Sequence, residues 1–208
     1  MSNNSISDVT GGNVVIEGAD GATGAQAVEA SAVGRDTGTH TQYIPGNHAG
    51  DAALKLSVET FLYQQAAMLD AKDWQGFIDT FTEEGVYWMP SYFQQTSWEL
   101  EPSIFAEDKF MMEIRMNRLL HPNAWSQAPM WSTNHLLGNV IVEAMSDDRI
   151  EVSSRFQMME LRRDDVRHFG GTYRHELVPM NGSYQVSLMR VDLSNGQAAY
   201  DYVLQAWV

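Results

Sequence analysis

From Asp51 onward the apolar positions follow a helical period first and a strand period later. Leu54, Val58, Phe61, Leu62 and Leu69 recur at helical spacing, and Asp51 stands where an N-cap is expected. A second helix carries Trp74, Phe77, Ile78 and Phe81; Glu84-Gly85 ends it, and residues 86–90 read as a short strand stopped by Pro90. A third helix is expected over residues 105–120, with Met112, Met116, Leu119 and Leu120 on its inner face and Pro122 closing it. The period then changes to two. Strands are expected at 134–144, 150–161, 169–178, 184–193 and 200–207, separated by the turn signals Ser146-Asp-Asp148, Asn181-Gly182 and Asn195-Gly196. Helices before strands predict a segregated α+β domain over residues 51–208, one strongly curved antiparallel sheet wrapping a helix layer.

Residues 1–50 read differently. They hold 9 of the 16 glycines and a single aromatic residue, Tyr43. Small residues cannot bury enough apolar area to offset the entropy of ordering them. A flexible, mildly acidic arm is expected, with residues 1–42 dispensable for folding. Its apolar run, Val14-Val15-Ile16, offers either a strand for a neighbour's sheet or nothing at all, and the idle tail is the preferred reading.

Composition narrows the chemistry. Hydrophobic residues at 44% supply a sizeable core, and no stretch is long and apolar enough to predict a transmembrane helix. The N-terminus shows neither a basic region nor an apolar region of the secretory kind. The absence of cysteine excludes disulfides, thiolate nucleophiles, zinc fingers and cysteine-ligated iron–sulfur clusters in this chain. It also fits the cytoplasm, the expected location. The 13 basic residues stand against 27 acidic ones, a net charge of −14. Phosphate backbones and anionic membranes are therefore poor partners, whereas a more basic protein is a good one.

Several segments carry a family likeness. Phe61-Leu-Tyr-Gln-Gln-Ala-Ala-Met-Leu-Asp-Ala-Lys-Asp-Trp74 is followed by Tyr87-Trp-Met-Pro90, Arg118-Leu-Leu120, Ala124-Trp-Ser-Gln127, Ser132-Thr-Asn-His-Leu136 and Asn139-Val140. Arg162-Arg-Asp-Asp165, Phe169-Gly-Gly171 and Arg190-Val-Asp-Leu193 come later. In this order they resemble the β (small) subunits of bacterial aromatic-ring-hydroxylating dioxygenases, most of all the benzoate type, over roughly residues 55–208. No one motif is specific; their order and spacing carry the likeness. The resemblance implies a cone-shaped fold similar to nuclear transport factor 2 and scytalone dehydratase, with N-terminal helices on a curved antiparallel sheet. It implies a hetero-hexamer of three α and three β subunits around a β trimer. The Rieske [2Fe-2S] cluster and mononuclear non-heme iron would belong to the α subunit, fed by reductase or ferredoxin, and the substrate would be an aromatic ring, carboxylated rings included. The β subunit itself would hold no catalytic, cofactor or metal residue.

The residues offer a few competing constellations. A facial triad for iron needs two histidines and a carboxylate. The folded domain offers His121, His135, His168 and His175, but His168 and His175 point to opposite faces of a regular strand unless Gly170-Gly171 inserts a bulge. Surface or interface histidines are the preferred reading. Asp70, Asp79 and His135 could form an acid–base pair inside a cone, as in a stand-alone dehydratase or isomerase; alternatively both aspartates are helix-surface or capping groups. Phe77, Phe81, Trp88 and Met89 are expected to fill the cone rather than leave a pocket. Arg162 and Arg163 read either as a solvated turn or as an interface clamp, since arginine pairs bidentately with carboxylates. Trp98, Trp125 and Trp131 sit in loop-like segments; core anchors are the default, and interface contacts are the alternative. A small-ligand binding module on the same fold is the remaining functional class.

Overall fold

A computed structural model of the chain describes residues 51–125, 130–198, 204, 205, 207 and 208. These belong to one unit, Ile44–Val208. The proposed arm at 1–50 lies outside the described residues, as do most of the positions of the strand expected at 200–207.

The first helix, α1 (Ala52–Ala71), begins where its cap predicts: the Asp51 carboxylate accepts hydrogen bonds from the backbone N–H groups of Ala53 and Leu54 at 3.1 and 2.9 Å. Lys72, left-handed at φ 60°, ends it by returning its N–H to Leu69. Val58, Phe61, Leu62 and Leu69 are buried along its inner stripe. Asp73 then caps α2 (Trp74–Asp79), which is shorter than the sequence suggests. Phe81 belongs instead to strand β1 (Phe81–Pro90), because Val186 donates its N–H to Thr80 and the chain is drawn into the sheet. A second correction concerns the third helix. Residues 103–108 form strand β2 (Ser103–Asp108), paired with β1, and only then does α3 (Lys109–Leu120) start, capped by Asp108. Met112 and Leu119 are buried in α3 and Met116 packs against the core, but Leu120 is exposed.

Four long strands follow: β3 (Ser132–Met145), β4 (Ile150–Arg162), β5 (Asp165–Met180) and β6 (Ser183–Leu193). The sheet order is β2-β1-β6-β5-β4-β3. Every ladder is antiparallel except β1 with β6, which run parallel. The expected all-antiparallel sheet is thus corrected at one ladder, where the first strand meets the last across the whole intervening chain. The tight β5–β6 turn uses Asn181 and Gly182, both at positive φ, as a two-residue hairpin of this hand requires.

The helices lie against one face of the sheet. Phe77 is the hub, with ring centroids 5.3 Å from Phe81, 6.4 Å from Tyr87 and 5.7 Å from Trp207. Phe156 and Tyr173 stack at 4.0 Å on neighbouring strands. Gly171 lets β5 and β6 close up there: a Cβ at this position would sit 2.1 Å from the Asp192 carbonyl oxygen.

Candidate functional site

The packing of α1 against edge strand β3 brings together two of the residues singled out by sequence. Asp70, in the last turn of α1, accepts a hydrogen bond from the His135 backbone N–H at 2.9 Å and from the Thr133 hydroxyl at 2.9 Å. His135 Nδ1 lies 2.6 Å from Asp70 Oδ1. Burial alone raises the Asp70 pKa, but the His135 side-chain and backbone hydrogen bonds, the imidazole charge and the Thr133 hydroxyl outweigh it, leaving the carboxyl below its usual value. The His135 side chain is only 1% exposed, and its Nε2 has no hydrogen-bond partner among the described residues. Asp79 does not join them: it is exposed and accepts from Gln75 one turn earlier.

Next comes the interior of the cone. Phe77, Phe81 and Met89 are buried in the core as expected from their bulk, but Trp88, buried too, alternates away from Tyr87 and Met89 and lies outside that core, under Arg190 and donating to the Ser103 hydroxyl. The remaining central cavity, bounded by Leu62, Gln65, Leu69, Phe77, Tyr173 and His175, measures about 10 Å³. That is the room of a single water, and neither Asp70 nor His135 lines it. Burial drives the His175 pKa down to about 3, so the imidazole is neutral at ordinary pH, and neither ring nitrogen has a protein partner. A larger hollow of about 660 Å³ opens on the surface beside α3, lined by Arg118, His121 and Trp125 among others.

The histidines do not converge. The β4–β5 register runs unbroken through Gly170-Gly171, so no bulge brings His168 and His175 to one face; His168 is exposed and His175 buried. Among the described residues no group of three histidine or acidic side chains is arranged for a metal ion. With no cysteine, the chain lacks the thiolates a Rieske cluster needs, and the described residues do not assemble a facial triad for iron.

The tryptophans divide. Trp131 is 2% exposed and packs 6.5 Å from Trp74, the core anchor that was its default reading, so it is not available as an exposed interface contact. Trp98 and Trp125 are exposed, Trp125 at 81%. Arg162 and Arg163 stand at the β4–β5 turn, Arg163 with a left-handed φ of 56°.

Two polar networks escaped the sequence. Arg115 of α3 forms a bidentate pair with buried Glu107 of β2, which also accepts from the Trp207 indole at 3.1 Å. Arg190 of β6 stacks over Trp88 at 4.4 Å and donates to the carbonyls of Phe93 and Gln95 at 2.8 and 2.6 Å. The one signal for the first was Glu107 alternating with Phe105 on the inward face of a strand.

An open sheet curled over helices around one apolar core defines a cone-fold protein. Residues 64–197 match the family model described as ring hydroxylating beta subunit. The chain belongs to that family: it is a β subunit of the aromatic-ring-hydroxylating dioxygenases. It is 28% identical to the anthranilate 1,2-dioxygenase small subunit of Acinetobacter baylyi, over 64% of this chain and 85% of that one. It is 24% identical to the 2-halobenzoate 1,2-dioxygenase small subunit of Burkholderia cepacia, over 67% and 88%. Its fold is similar to the crystal structure of the benzoate 1,2-dioxygenase β subunit of Burkholderia mallei, with a TM-score of 0.60 and 22% identity, covering 74% of this chain and 97% of that one.

Proposed function

We propose that this subunit is non-catalytic: it scaffolds a larger oxygenase subunit that carries the Rieske [2Fe-2S] cluster and the mononuclear iron. The filled cone carries this reading, since a central space of about 10 Å³ cannot admit an aromatic ring. The lack of cysteine and the scattered histidines support placing both iron centres in the partner. Three small and three large subunits form the assembly, with a trimer of small subunits at its base. An exposed apolar strip on the outer sheet face supports self-association: Leu136, Met159, Leu161 and Val166 occupy neighbouring positions on β3, β4 and β5. Reductase or ferredoxin supplies electrons to the partner, in the cytoplasm. The named relatives act on anthranilate and 2-halobenzoate, which supports a carboxylated aromatic ring as the substrate of the assembled enzyme.

The Asp70–His135 pair favours a second reading, a stand-alone dehydratase or isomerase. Co-expression with the large subunit separates the two. The scaffold reading expects a stable complex, ring oxygenation that requires both subunits, and a small subunit that purifies colourless and free of stoichiometric metal. A metal held at one per chain, or turnover by the small subunit alone that is lost in Asp70→Asn, would overturn it.

A further inference from the structure

The loop between β1 and β2, residues 91–102, buries the polar side chain of Gln95 and leaves its large apolar side chains exposed. Gln95 is buried; its side-chain oxygen accepts from the N–H groups of Ser91 and Tyr92 at 2.5 and 3.3 Å, and its amide donates to the Pro102 carbonyl at 3.0 Å. Arg190 ties the same loop to β6 through the Gln95 and Phe93 carbonyls, while Asp192 holds the guanidinium from behind at 2.9 Å. Tyr92 donates to Glu101, closing the loop on itself. Yet Phe93 is 58% exposed and Leu100 82%, with Tyr92 and Trp98 exposed beside them. Loops that carry large apolar side chains normally fold them inward. Here the backbone is braced with those groups facing out, so the ordering that binding normally demands of a loop is already in place.

We propose that this loop is the docking surface for the large oxygenase subunit, an inference that rests on the scaffold reading above. Charge selects that occupant over a second copy. Residues 91–102 contain Glu99 and Glu101 and no lysine or arginine, on a chain of net charge −14. A second copy brings the same acidic excess, and its turn arginines, Arg162 and Arg163, are followed directly by Asp164 and Asp165. The complementary surface is therefore an apolar socket rimmed by arginine or lysine on an unlike chain. Phe93, Trp98 and Leu100 fill the socket; Glu99 meets the rim.

The test uses the full chain co-expressed with the large subunit of its own host. The double variant Phe93→Ser with Leu100→Ser should keep the circular dichroism and unfolding midpoint of the free protein and bind the large subunit at least about tenfold more weakly, about 1.4 kcal/mol. Leu56→Ser, on the exposed side of α1, should leave that affinity unchanged. Glu99→Lys should weaken binding and reduce its sensitivity to salt; it decides the matter if the double variant does not fold. Full affinity in the loop variants overturns the inference alone. Loss of self-association with the large subunit still held also overturns it, and makes a second copy the occupant. Failure of the unaltered chain to bind the large subunit overturns the scaffold reading, and this inference with it.

Discussion

Asp70 and His135, 65 residues apart in the chain, meet at 2.6 Å and fasten the outermost strand to the end of the first helix. Three donors converge on one carboxylate there, two of them from His135 itself. Edge strand β3 has a neighbour on one side only, so this clasp does what a second ladder does for an inner strand. Asp70→Asn places an amide where a donor must be received and should destabilise the domain by about 1–2 kcal/mol. Because the folded pKa of Asp70 is lowered, its contribution is complete above the ordinary aspartate value of about 3.9 and fades as pH falls through the lower folded value. Urea unfolding of both proteins from neutral to strongly acid pH should show their stabilities converging at the acid end. An unchanged gap there would mean that ionised Asp70 contributes nothing.

His175 should dominate a different pH window. Its neutral form is the one the core accepts, with a folded pKa of about 3 against about 6.5 when unfolded. The unfolded chain therefore binds the extra proton between these values, and stability falls as pH drops through that range, at up to about 1.4 kcal/mol per pH unit. His175→Leu should flatten that slope and, by removing two unpartnered ring nitrogens, cost little at neutral pH. Denaturant midpoints at four or five pH values suffice, and an equally steep slope in the variant would sink the assignment.

Gly171→Ala should be among the costlier single methyl additions. The new Cβ would lie 2.1 Å from a backbone carbonyl of β6, which cannot swing aside as a side chain does. The β5–β6 ladder must part locally, at about 1–3 kcal/mol. Thermal unfolding gives the magnitude, and loss of the Phe156–Tyr173 stack should appear as a change in near-ultraviolet circular dichroism.

Arg163→Gly separates folding from assembly at the β4–β5 turn. Glycine adopts φ 56° without the steric cost of a side chain, so the free subunit should gain roughly 0.5–1 kcal/mol. If the arginine also clamps a partner, the same variant should assemble less well while unfolding later. Arg162→Ala with Arg163→Ala should likewise weaken assembly and spare the fold. Undiminished assembly in both variants would leave this turn a solvated one.

Where sequence and structure agree, the physical signal was local. Asp51 announced α1, and the two-residue spacing of Ile150 and Val152, then of Phe156 and Met158, marked β4 to within one residue. Where they differ, one apolar residue satisfied two periods. Phe81 continues the spacing of α2 and also heads a strand, and Phe105 fits either the start of a helix or the middle of β2; long-range pairing with Val186 and Met89 decided both. Asp70 and His135 were legible as candidate types, but their contact depends on α1 crossing β3, which no local pattern encodes. The brace on residues 91–102 was invisible because Gln95 belongs to no period, and the strand period of β6 places Arg190 on its outer face without saying what loop it meets there. Trp98 and Trp125 looked like Trp131 in sequence, and only packing separated the buried one from the exposed pair.

The parallel ladder between β1 and β6 has a bearing on how the chain reaches this state. Phe81 pairs with Val186 and Trp88 with Arg190, so this inner ladder joins segments about a hundred residues apart. During synthesis α1, α2 and β1 leave the ribosome long before their partners exist, and Phe77 waits for Trp207, far later in the chain. Contacts of such long range slow the search, towards the millisecond-to-second regime of non-local β folds. Throughout that delay the surfaces destined for the core stay wet and adhesive. A chain that stops short of β6 leaves the β2–β1 pair unjoined to β3, β4 and β5, since β6 alone links the two groups. Supply of this subunit is thus governed by completion of the whole chain rather than by the early appearance of any stable part.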